Sequence, residues 1–346
     1  MSNRIAFIPQ REFARVSGTS LDRYAKLSLL SDMCRLNALS AVKRAGSGHL
    51  GSSFSAMDIV VWLYHQELNT LKEGLQSPHR DVYFSSKGHD VPGFYSVLFS
   101  LGVISEEKLL RLRRLGGLDG HPNLGTPGIE ANSGSLGMGV SKGRGMAWAK
   151  RKLGLRGRVF VMIGDGELQE GQNYEAFQAA VQQRVGNLVV IVDHNKVQTD
   201  KPISEIVDLA DLEAKLAAFG WVVARADGHD FRALESVLAA FRDVPDRPKI
   251  LVADTIKGKG VSFMEHPRAL ALGGGLYQWH AGAPADEAFL SAHTEIVKRL
   301  QAATAAAGIA ELELEEPPPP EAARSETLLG EQDQHRSEEH TSEPSH

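Results

Sequence analysis

The chain has 346 residues, 42% of them hydrophobic and 23% charged, a composition typical of a globular protein with room for one large α/β domain or two ordinary ones. Its formal net charge of −5 is too small to favour binding to nucleic acid or to an anionic membrane. The N-terminal region does not resemble a signal peptide, and no apolar run is long enough to cross a bilayer. Cys34 is the only cysteine, so an intrachain disulfide is excluded. We therefore expect a cytoplasmic protein.

The chain divides into three regions by composition. Residues 1–20 show no clear pattern and are expected to form a weakly structured lead-in segment. Residues 21–304 carry the apolar periodicity of one folded domain. Residues 305–346 are rich in Glu, Pro and polar side chains and are expected to be disordered, because they cannot bury a core. Residues 336–346 resemble the translation of a sequencing adapter, so we expect the natural C-terminus to differ.

Strands and helices alternate along most of the chain. Residues 158–163 are apolar throughout, as in a strand covered on both faces, and residues 188–192 repeat this pattern one helix later. Such a strand–helix–strand unit has parallel strands and a right-handed crossover. The predicted fold is therefore α/β, with a doubly wound and mostly parallel sheet. Predicted helices cover 21–43, 55–68, 93–101, 105–115, 139–153, 172–184, 209–219 and 232–241, and predicted strands cover 81–86, 158–163, 188–192, 221–226 and 249–254.

A glycine-rich turn follows the first fully apolar strand. Gly164, Asp165 and Gly166 stand at the carboxyl end of this strand, where open α/β sheets bind ligands. The glycines allow backbone to approach a ligand closely, and the Asp165 carboxylate is a hard oxygen suited to Mg²⁺ or Ca²⁺. Asp and Gly are also ordinary turn residues, so the tripeptide alone leaves a purely structural turn open.

Asn195 stands just after the next apolar strand, with 28 residues between it and Gly166. That length fits one crossover helix, so we expect Asp165 and Asn195 to lie at adjacent strand ends. A carboxylate, an amide oxygen and a nearby backbone carbonyl can share one cation, and Mg²⁺ often takes its remaining ligands from phosphate groups. The two motifs together predict a site for a metal-bridged diphosphate.

These motifs resemble the thiamin diphosphate fingerprint, Gly-Asp-Gly followed by Asn, and their local sequence is similar to that of transketolases. Further stretches match that family in order over about residues 20–300. They are SGHLG (47–51), SKGHD (86–90), GHPNLGTPGIEANSGSLGMG (120–139), GDGELQEGQNYEA (164–176), HNKVQTD (194–200), DGHD (227–230), DTIKGKG (254–260) and WHAGAP (279–284). The resemblance implies the thiamin diphosphate-binding fold, with thiamin diphosphate and Mg²⁺ (or Ca²⁺) as cofactors. It also implies the transfer of a two-carbon ketol unit from a ketose phosphate to an aldose.

The resemblance further implies roles for individual residues at the metal and diphosphate end of the cofactor. Asp165, the Asn195 side chain and the Val197 carbonyl would bind the metal. The turn glycines, Gly164 and Gly166, would lie at the diphosphate. His89 and His280 would assist Gly166 there.

The remaining implied roles concern the cofactor ring, the substrate and a subunit interface. Gly134 and Leu136 would lie against the aminopyrimidine ring, with Ser135 where the family often has proline. Glu170 would form a hydrogen bond across a subunit interface to a catalytic glutamate of the partner. The implied catalytic residues, which would face the sugar hydroxyls and carbonyl, are His49, His121 and His280, the last of these close to the reacting carbon.

The histidine pattern is consistent with this resemblance. The four histidines named above lie in loops that contain Gly or Pro and not on apolar helix faces. Any one of them alone is compatible with an ordinary loop histidine. Four in loops that converge on one sheet edge favour a site, because histidine can bind a sugar oxygen, pair with phosphate or move a proton near neutral pH.

The strand–helix alternation stops near residue 300, about half the length of a whole transketolase. The second domain of that family, which binds the aminopyrimidine and supplies an activating glutamate, is therefore expected on another polypeptide. We expect this chain to be the N-terminal subunit of a split transketolase that acts with this C-terminal subunit, self-associates within a heterotetramer and takes sugar phosphates. A role in the pentose phosphate part of carbohydrate metabolism and a specialised biosynthetic role both stay open.

Two alternatives also stay open. One is another thiamin diphosphate enzyme subunit, similar to 1-deoxyxylulose-phosphate synthase or to the E1 component of 2-oxo acid dehydrogenases. The SGHLG and GHPNLGTPG stretches favour transketolase over the E1 enzymes, and the HNKVQTD ending favours it over the synthase. The other is a non-catalytic cofactor-binding subunit, which the presence of both Asp165 and Asn195 disfavours.

Overall fold

The computed structural model describes residues 5–318. None of the helices in this range is long and apolar enough to cross a membrane. Short helical turns of other types lie at Leu63–Glu67, Gly88–Asp90 and Gly166–Gln169. The helices are α1 Gln10–Ser17, α2 Arg23–Ala45, α3 Leu50–Trp62, α4 Thr70–Glu73, α5 Val91–Ser100, α6 Glu106–Leu110, α7 Gly139–Lys152, α8 Gly171–Gln182, α9 Ile203–Ile206, α10 Leu212–Ala218, α11 Phe231–Arg242, α12 His266–Leu272 and α13 Asp286–Ala306. The strands are β1 Val82–Ser85, β2 Val159–Gly164, β3 Leu188–His194, β4 Val197–Gln198, β5 Lys201–Pro202, β6 Val222–Asp227 and β7 Lys249–Asp254.

Five strands form one parallel sheet in the order β1-β2-β3-β7-β6, and β4 pairs with β5 in a small antiparallel ribbon. Successive side chains of β2 enter two separate apolar cores, one on each face of the sheet. One core contains α2, α3, α5, α11 and α13, and the other contains α7, α8 and α10. This arrangement confirms the predicted doubly wound α/β fold, because a parallel sheet needs helices on both faces.

The strand register brings the chemically important segments to one edge of the sheet. Gly164 at the end of β2 pairs with Asp193 near the end of β3, and His194 pairs with Asp254 at the end of β7. Parallel strands all end on the same side. The segments that follow β2, β3 and β7 therefore meet at the carboxyl edge, as predicted for Asp165 and Asn195.

The expectation of a weakly structured segment over residues 1–20 is wrong for residues 5–18. Helix α1 occupies most of this range, and Phe7 and Phe13 are fully buried. The Asn37 side chain of α2 fixes the preceding turn, since it accepts from the Ile8 amide at 2.7 Å and donates to the Ile8 carbonyl at 2.8 Å. Such contacts join segments that are distant in sequence, so the order of this N-terminal segment depends on the rest of the chain.

The disorder expected from residue 305 onward is wrong for residues 305–318, and the rest of that tail lies outside the described residues. Ile309 and Leu312 pack against the main core. Glu315 pairs with Phe7 through two backbone hydrogen bonds of 2.9 Å in an antiparallel bridge. The segment is ordered because it packs on the N-terminal helix, which composition alone does not reveal.

Replacing Phe13 with alanine should lower the free energy of unfolding by about 3–5 kcal/mol, as typical for a fully buried aromatic ring. Phe13 packs edge-on against Phe99 with ring centroids 5.9 Å apart, so truncation removes both burial and a ring contact. Denaturant unfolding measures this change. The matched control is Leu314→Ala, whose exposed side chain should contribute little. Equal stability of the Phe13 variant and the wild type would show that α1 is not part of the core.

Candidate active site

The turn after β2 places a buried carboxylate at the carboxyl edge. One Asp165 carboxylate oxygen accepts a hydrogen bond from the Gly166 amide at 2.8 Å, and the other accepts from the Lys196 amide at 2.6 Å. Burial and the neighbouring Asp193 carboxylate raise the pKa of Asp165. A carboxylate in such surroundings is stabilised by a bound cation.

The segment after β3 supplies the other two predicted metal ligands. The Asn195 side-chain oxygen accepts from the Val197 amide at 3.2 Å, and its nitrogen donates to Asp193 at 3.2 Å. The hydrogen bond from Lys196 to Asp165 holds this segment against the glycine turn. A carboxylate, an amide oxygen and a backbone carbonyl are hard ligands, and they fit Mg²⁺ or Ca²⁺.

Two buried lysines flank these ligands, and sequence reasoning gave neither of them a role. The Lys257 ammonium donates to the Val197 carbonyl at 2.9 Å and to the Thr199 carbonyl at 3.0 Å. Burial lowers the pKa of Lys257 to about 8. Lys87 forms a 2.5 Å ion pair with Asp193 and a 3.3 Å ion pair with Asp90. Both lysines stand inside matched motifs, SKGHD and DTIKGKG, and a lysine two or three residues after an apolar strand was the available signal.

Three of the predicted histidines form a cluster beside this metal-ligand set. The ring centroids of His49, His89 and His280 lie 5.1–5.4 Å apart in all three pairs. His89 also contacts the Ser52 hydroxyl at 3.0 Å. The Nδ1 atoms of His49 and His280 are buried and have no hydrogen-bond partner among residues 5–318. Two buried nitrogens without partners fit a site that binds a polar ligand.

The histidines of this cluster are neutral at pH 7. Burial, followed by nearby positive groups, lowers the pKa of His49 to about 4 and that of His280 to about 3. Burial likewise lowers the pKa of His89 well below its usual value. A neutral imidazole can donate through one nitrogen and accept through the other, as needed to orient sugar hydroxyls.

His121 lies at the exposed rim and not in the histidine cluster. Its ring lies beside Gly134, and a Cβ atom added to that glycine would lie 3.3 Å from His121 Cδ2. Gly134 has a φ of +140°, which favours glycine. Ser135 and Leu136 are exposed, with 39% of Leu136 accessible. The Gly-rich segment therefore presents an open surface next to the histidines.

Glu167 connects this Gly-rich segment to the strand ends, and the sequence analysis gave it no role. Its buried carboxylate accepts from the Gly137 amide at 2.8 Å, from the Gly164 amide at 3.1 Å and from the Ser86 hydroxyl. Ser86 in turn accepts from the Gly139 amide at 3.0 Å. One carboxylate thus fixes the ends of β1 and β2 and the start of α7. The signal available was an acidic residue directly after the Gly-Asp-Gly turn.

Glu170, expected at a subunit interface, is exposed. The Glu170 Cβ packs closely on Gly137, so a side chain in place of Gly137 would overlap Glu170.

The loop before His280 is ordered. The Tyr277 amide donates to the Asp200 carbonyl at 2.7 Å, and the Gly51 amide donates to the Trp279 carbonyl at 3.1 Å. These contacts deliver His280 to the cluster despite the long Gly-rich stretch that precedes it.

Acidification should destabilise the protein through the buried histidines. Unfolded histidine has a pKa near 6.5, whereas the pKa of His49 is about 4 and that of His280 about 3 in the folded chain. The unfolded state binds more protons below pH 6.5, so this contribution to stability is present above pH 6.5 and is lost as the pH falls towards 3. The free energy of unfolding, measured with urea at pH 7 and at pH 5, should differ less between the two pH values for the double variant His49→Gln/His280→Gln than for the wild type. An identical difference would contradict the neutral assignment.

The carboxyl edge of this parallel sheet combines hard oxygen atoms, buried ammonium groups and neutral histidines. Such an edge is typical of an α/β domain that binds a metal-bound diphosphate cofactor. The family described as transketolase, thiamine diphosphate binding domain, matches residues 27–271. The chain therefore belongs to the transketolase family, the thiamin diphosphate-dependent transferases of ketol groups, whose diphosphate is held with a divalent metal ion.

The relatives include both split and whole transketolases. The chain is 34% identical to an apulose-4-phosphate transketolase subunit of Phocaeicola vulgatus, covering 80% of this chain and 95% of the relative. It is 36% identical to 6-deoxy-6-sulfo-D-fructose transketolase subunit SqwG of Clostridium sp., covering 68% and 86%. The human transketolase is 34% identical, but the match covers only 39% of its length.

Solved structures agree with this family. The transketolase of Campylobacter jejuni superposes with a TM-score of 0.69 at 26% identity, and the match covers 84% of this chain and 44% of that one. The chain thus spans less than half of the solved transketolase and nearly all of the Phocaeicola subunit.

Proposed function

We propose that this chain is the N-terminal subunit of a split transketolase and that a separate C-terminal subunit completes its active site. The observation that carries the proposal is the set of proposed metal ligands, Asp165, Asn195 and Val197, beside Lys257. These residues form the complete diphosphate-binding part of a cofactor site, whereas the described residues contain no pyrimidine-binding domain. Coverage of 95% of the Phocaeicola subunit supports the split architecture. The partner would supply the activating glutamate, and the two kinds of chain would assemble into a heterotetramer.

The proposed cofactor roles are those that the family resemblance implies, and the contacts of the site are compatible with them. Asp165, Asn195 and the Val197 carbonyl would hold the metal, and Gly164 and Gly166 would lie at the diphosphate with His89 and His280. The segment formed by Gly134, Ser135 and Leu136 contacts the aminopyrimidine. Glu170 faces the partner, because it is exposed beside that segment.

The chain's own residues bind and orient the sugar. When bound, thiamin diphosphate supplies the nucleophilic carbon that accepts the ketol unit. His49, His121 and His280 hydrogen-bond the hydroxyls and carbonyl of the sugar. The neutral His49 and His280 rings can each hold or release a proton at a sugar oxygen during carbon–carbon cleavage.

The substrates we propose are a ketose phosphate donor and an aldose, or aldose phosphate, acceptor. Two of the relatives act, by their names, on apulose 4-phosphate and on 6-deoxy-6-sulfo-D-fructose, so a specialised carbohydrate pathway is as compatible as the pentose phosphate pathway. The other thiamin diphosphate enzymes considered above are disfavoured, because these two relatives and the human enzyme are transketolases or parts of them. A non-catalytic role is disfavoured by the intact histidine cluster.

The test is reconstitution. The chain alone should lack ketol transfer with thiamin diphosphate and Mg²⁺, and addition of a pyrimidine-binding transketolase subunit encoded beside it should restore the activity. The same pair carrying Asp165→Asn should stay inactive, whereas Glu205→Gln, an exposed carboxylate, should behave as the wild type. Full activity without a partner would overturn the split architecture. Pyruvate decarboxylation by the pair without ketol transfer would overturn the transketolase assignment.

A further inference from the structure

A cavity lies at the edge of the sheet opposite to the proposed metal ligands. Its volume is about 450 Å³, and it opens between the first residues of β2, β3 and β7 and the last turns of α11. This volume falls within the range of about 300–1,000 Å³ that is usual for small-molecule sites. The apolar part of its wall is formed by Phe160, Val189, Leu238 and Phe241.

The polar part of the wall is dominated by Lys249. Only 3% of this residue is exposed, and its ammonium donates to the Gly186 carbonyl at 2.5 Å. Among residues 5–318 it has no carboxylate within ion-pair distance. Burial, followed by repulsion from Arg158, lowers the pKa of Lys249 to about 8, so it is largely charged at pH 7. A buried ammonium without a counter-charge is costly, and an anion beside it would offset that cost.

The acidic groups nearest the cavity are bound to arginines. Glu67 is buried and forms ion pairs with Arg158 and with Arg242, the latter at 2.5 Å. Arg158 also pairs with Asp81 at 2.7 Å. Asp246 is exposed, and it raises the pKa of Lys249 by less than burial and Arg158 lower it. Lys249 is therefore the buried cation of this wall that has no carboxylate partner among residues 5–318.

We propose that this cavity binds a small amphipathic carboxylate, with its anionic group on Lys249 and its apolar body against Phe241 and Pro245. A carboxylate accepts the two ammonium protons that Gly186 does not use, and the half-exposed Arg242 guanidinium stands at the rim as a second donor. A ligand without an apolar part would make no use of the apolar wall. A ligand without charge would leave Lys249 unpaired.

The test uses hexanoate as the probe, with acetate as the charge alone and hexan-1-ol as the apolar body alone. Calorimetric titration of the full chain at pH 7 should detect hexanoate, and acetate and hexan-1-ol should each bind at least about tenfold more weakly. Lys249→Met should weaken hexanoate by a similar factor, and Lys152→Met, an exposed lysine of α7, should leave it unchanged. Hexanoate affinity of the wild type should also fall as the pH rises above about 8, where Lys249 loses its proton.

Three results would overturn the proposal. These are no hexanoate binding to the wild type, equal binding of hexanoate to Lys249→Met, or equal binding of hexan-1-ol and hexanoate. The pH dependence is measured on the wild type, so the proposal stays testable even where Lys249→Met folds poorly. A flat pH profile between pH 7 and pH 9 would contradict the ion pair.

Discussion

Replacing Asp165 with asparagine is expected to abolish the Mg²⁺-dependent stabilisation of the chain by thiamin diphosphate. The carboxylate is the only charged group among the three proposed metal ligands. An amide cannot accept hydrogen bonds through both terminal atoms, as Asp165 does from Gly166 and Lys196. A ligand that binds only the native state at about 100 times its Kd raises the stability by about 2.7 kcal/mol. This increment should disappear in the variant.

Thermal unfolding with thiamin diphosphate, in the presence of Mg²⁺ or of a chelator, measures the effect. In the wild type the unfolding temperature should rise only when Mg²⁺ is present. Glu205→Gln removes a carboxylate that is exposed near the same edge and should keep the full rise. A Mg²⁺-dependent rise in Asp165→Asn equal to that of the wild type would place the metal elsewhere.

Replacing Glu167 with alanine is expected to have the second large effect, on both stability and cofactor affinity. The change leaves the Gly137 and Gly164 amides and the Ser86 hydroxyl without their acceptor, and each buried group costs about 1–3 kcal/mol when unpaired. The segment that carries Gly134 should then move away from the sheet edge. Glu167→Gln keeps one acceptor atom, so its stability and cofactor affinity should lie between those of Glu167→Ala and the wild type.

Comparison of two ligands separates this positioning role from general destabilisation. In the presence of Mg²⁺, Glu167→Ala should lose more affinity for thiamin diphosphate than for inorganic pyrophosphate, which lacks the aminopyrimidine that the segment contacts. Glu175→Ala, which removes an exposed carboxylate from α8, should change neither affinity. Equal losses for both ligands would show that Glu167 acts on the diphosphate end and not through the Gly-rich segment.

Much of the sheet was predictable because local sequence encodes it. Strands β2 and β3 are apolar along almost their whole length, as central parallel strands must be when helices cover both faces. One crossover helix between them places Asp165 and Asn195 on the same edge, and the hydrogen bond from Lys196 to Asp165 agrees with that prediction. The histidines His49 and His280 were predictable for the same reason, since they stand in loops at this edge.

The remaining features depend on contacts between segments that are far apart in sequence. Arg11 pairs with Glu313, 302 positions away in sequence, and no local pattern predicts that the two ends of the described chain pack together. Lys257 reaches the Val197 carbonyl across 60 positions. Glu167 meets Ser86 only because β1 and β2 are neighbours in the sheet. Each of these residues acquires its contacts only when the strands assemble.

The most direct measurement of the central claim is a crystal structure of the assembled enzyme with thiamin diphosphate and Mn²⁺ in place of Mg²⁺. Anomalous scattering locates Mn²⁺ independently of the protein atoms. The predicted result is one metal ion coordinated by the Asp165 carboxylate, the Asn195 amide oxygen, the Val197 carbonyl and the diphosphate. A metal–diphosphate bound away from these three ligands would contradict the assignment of this edge as the cofactor site.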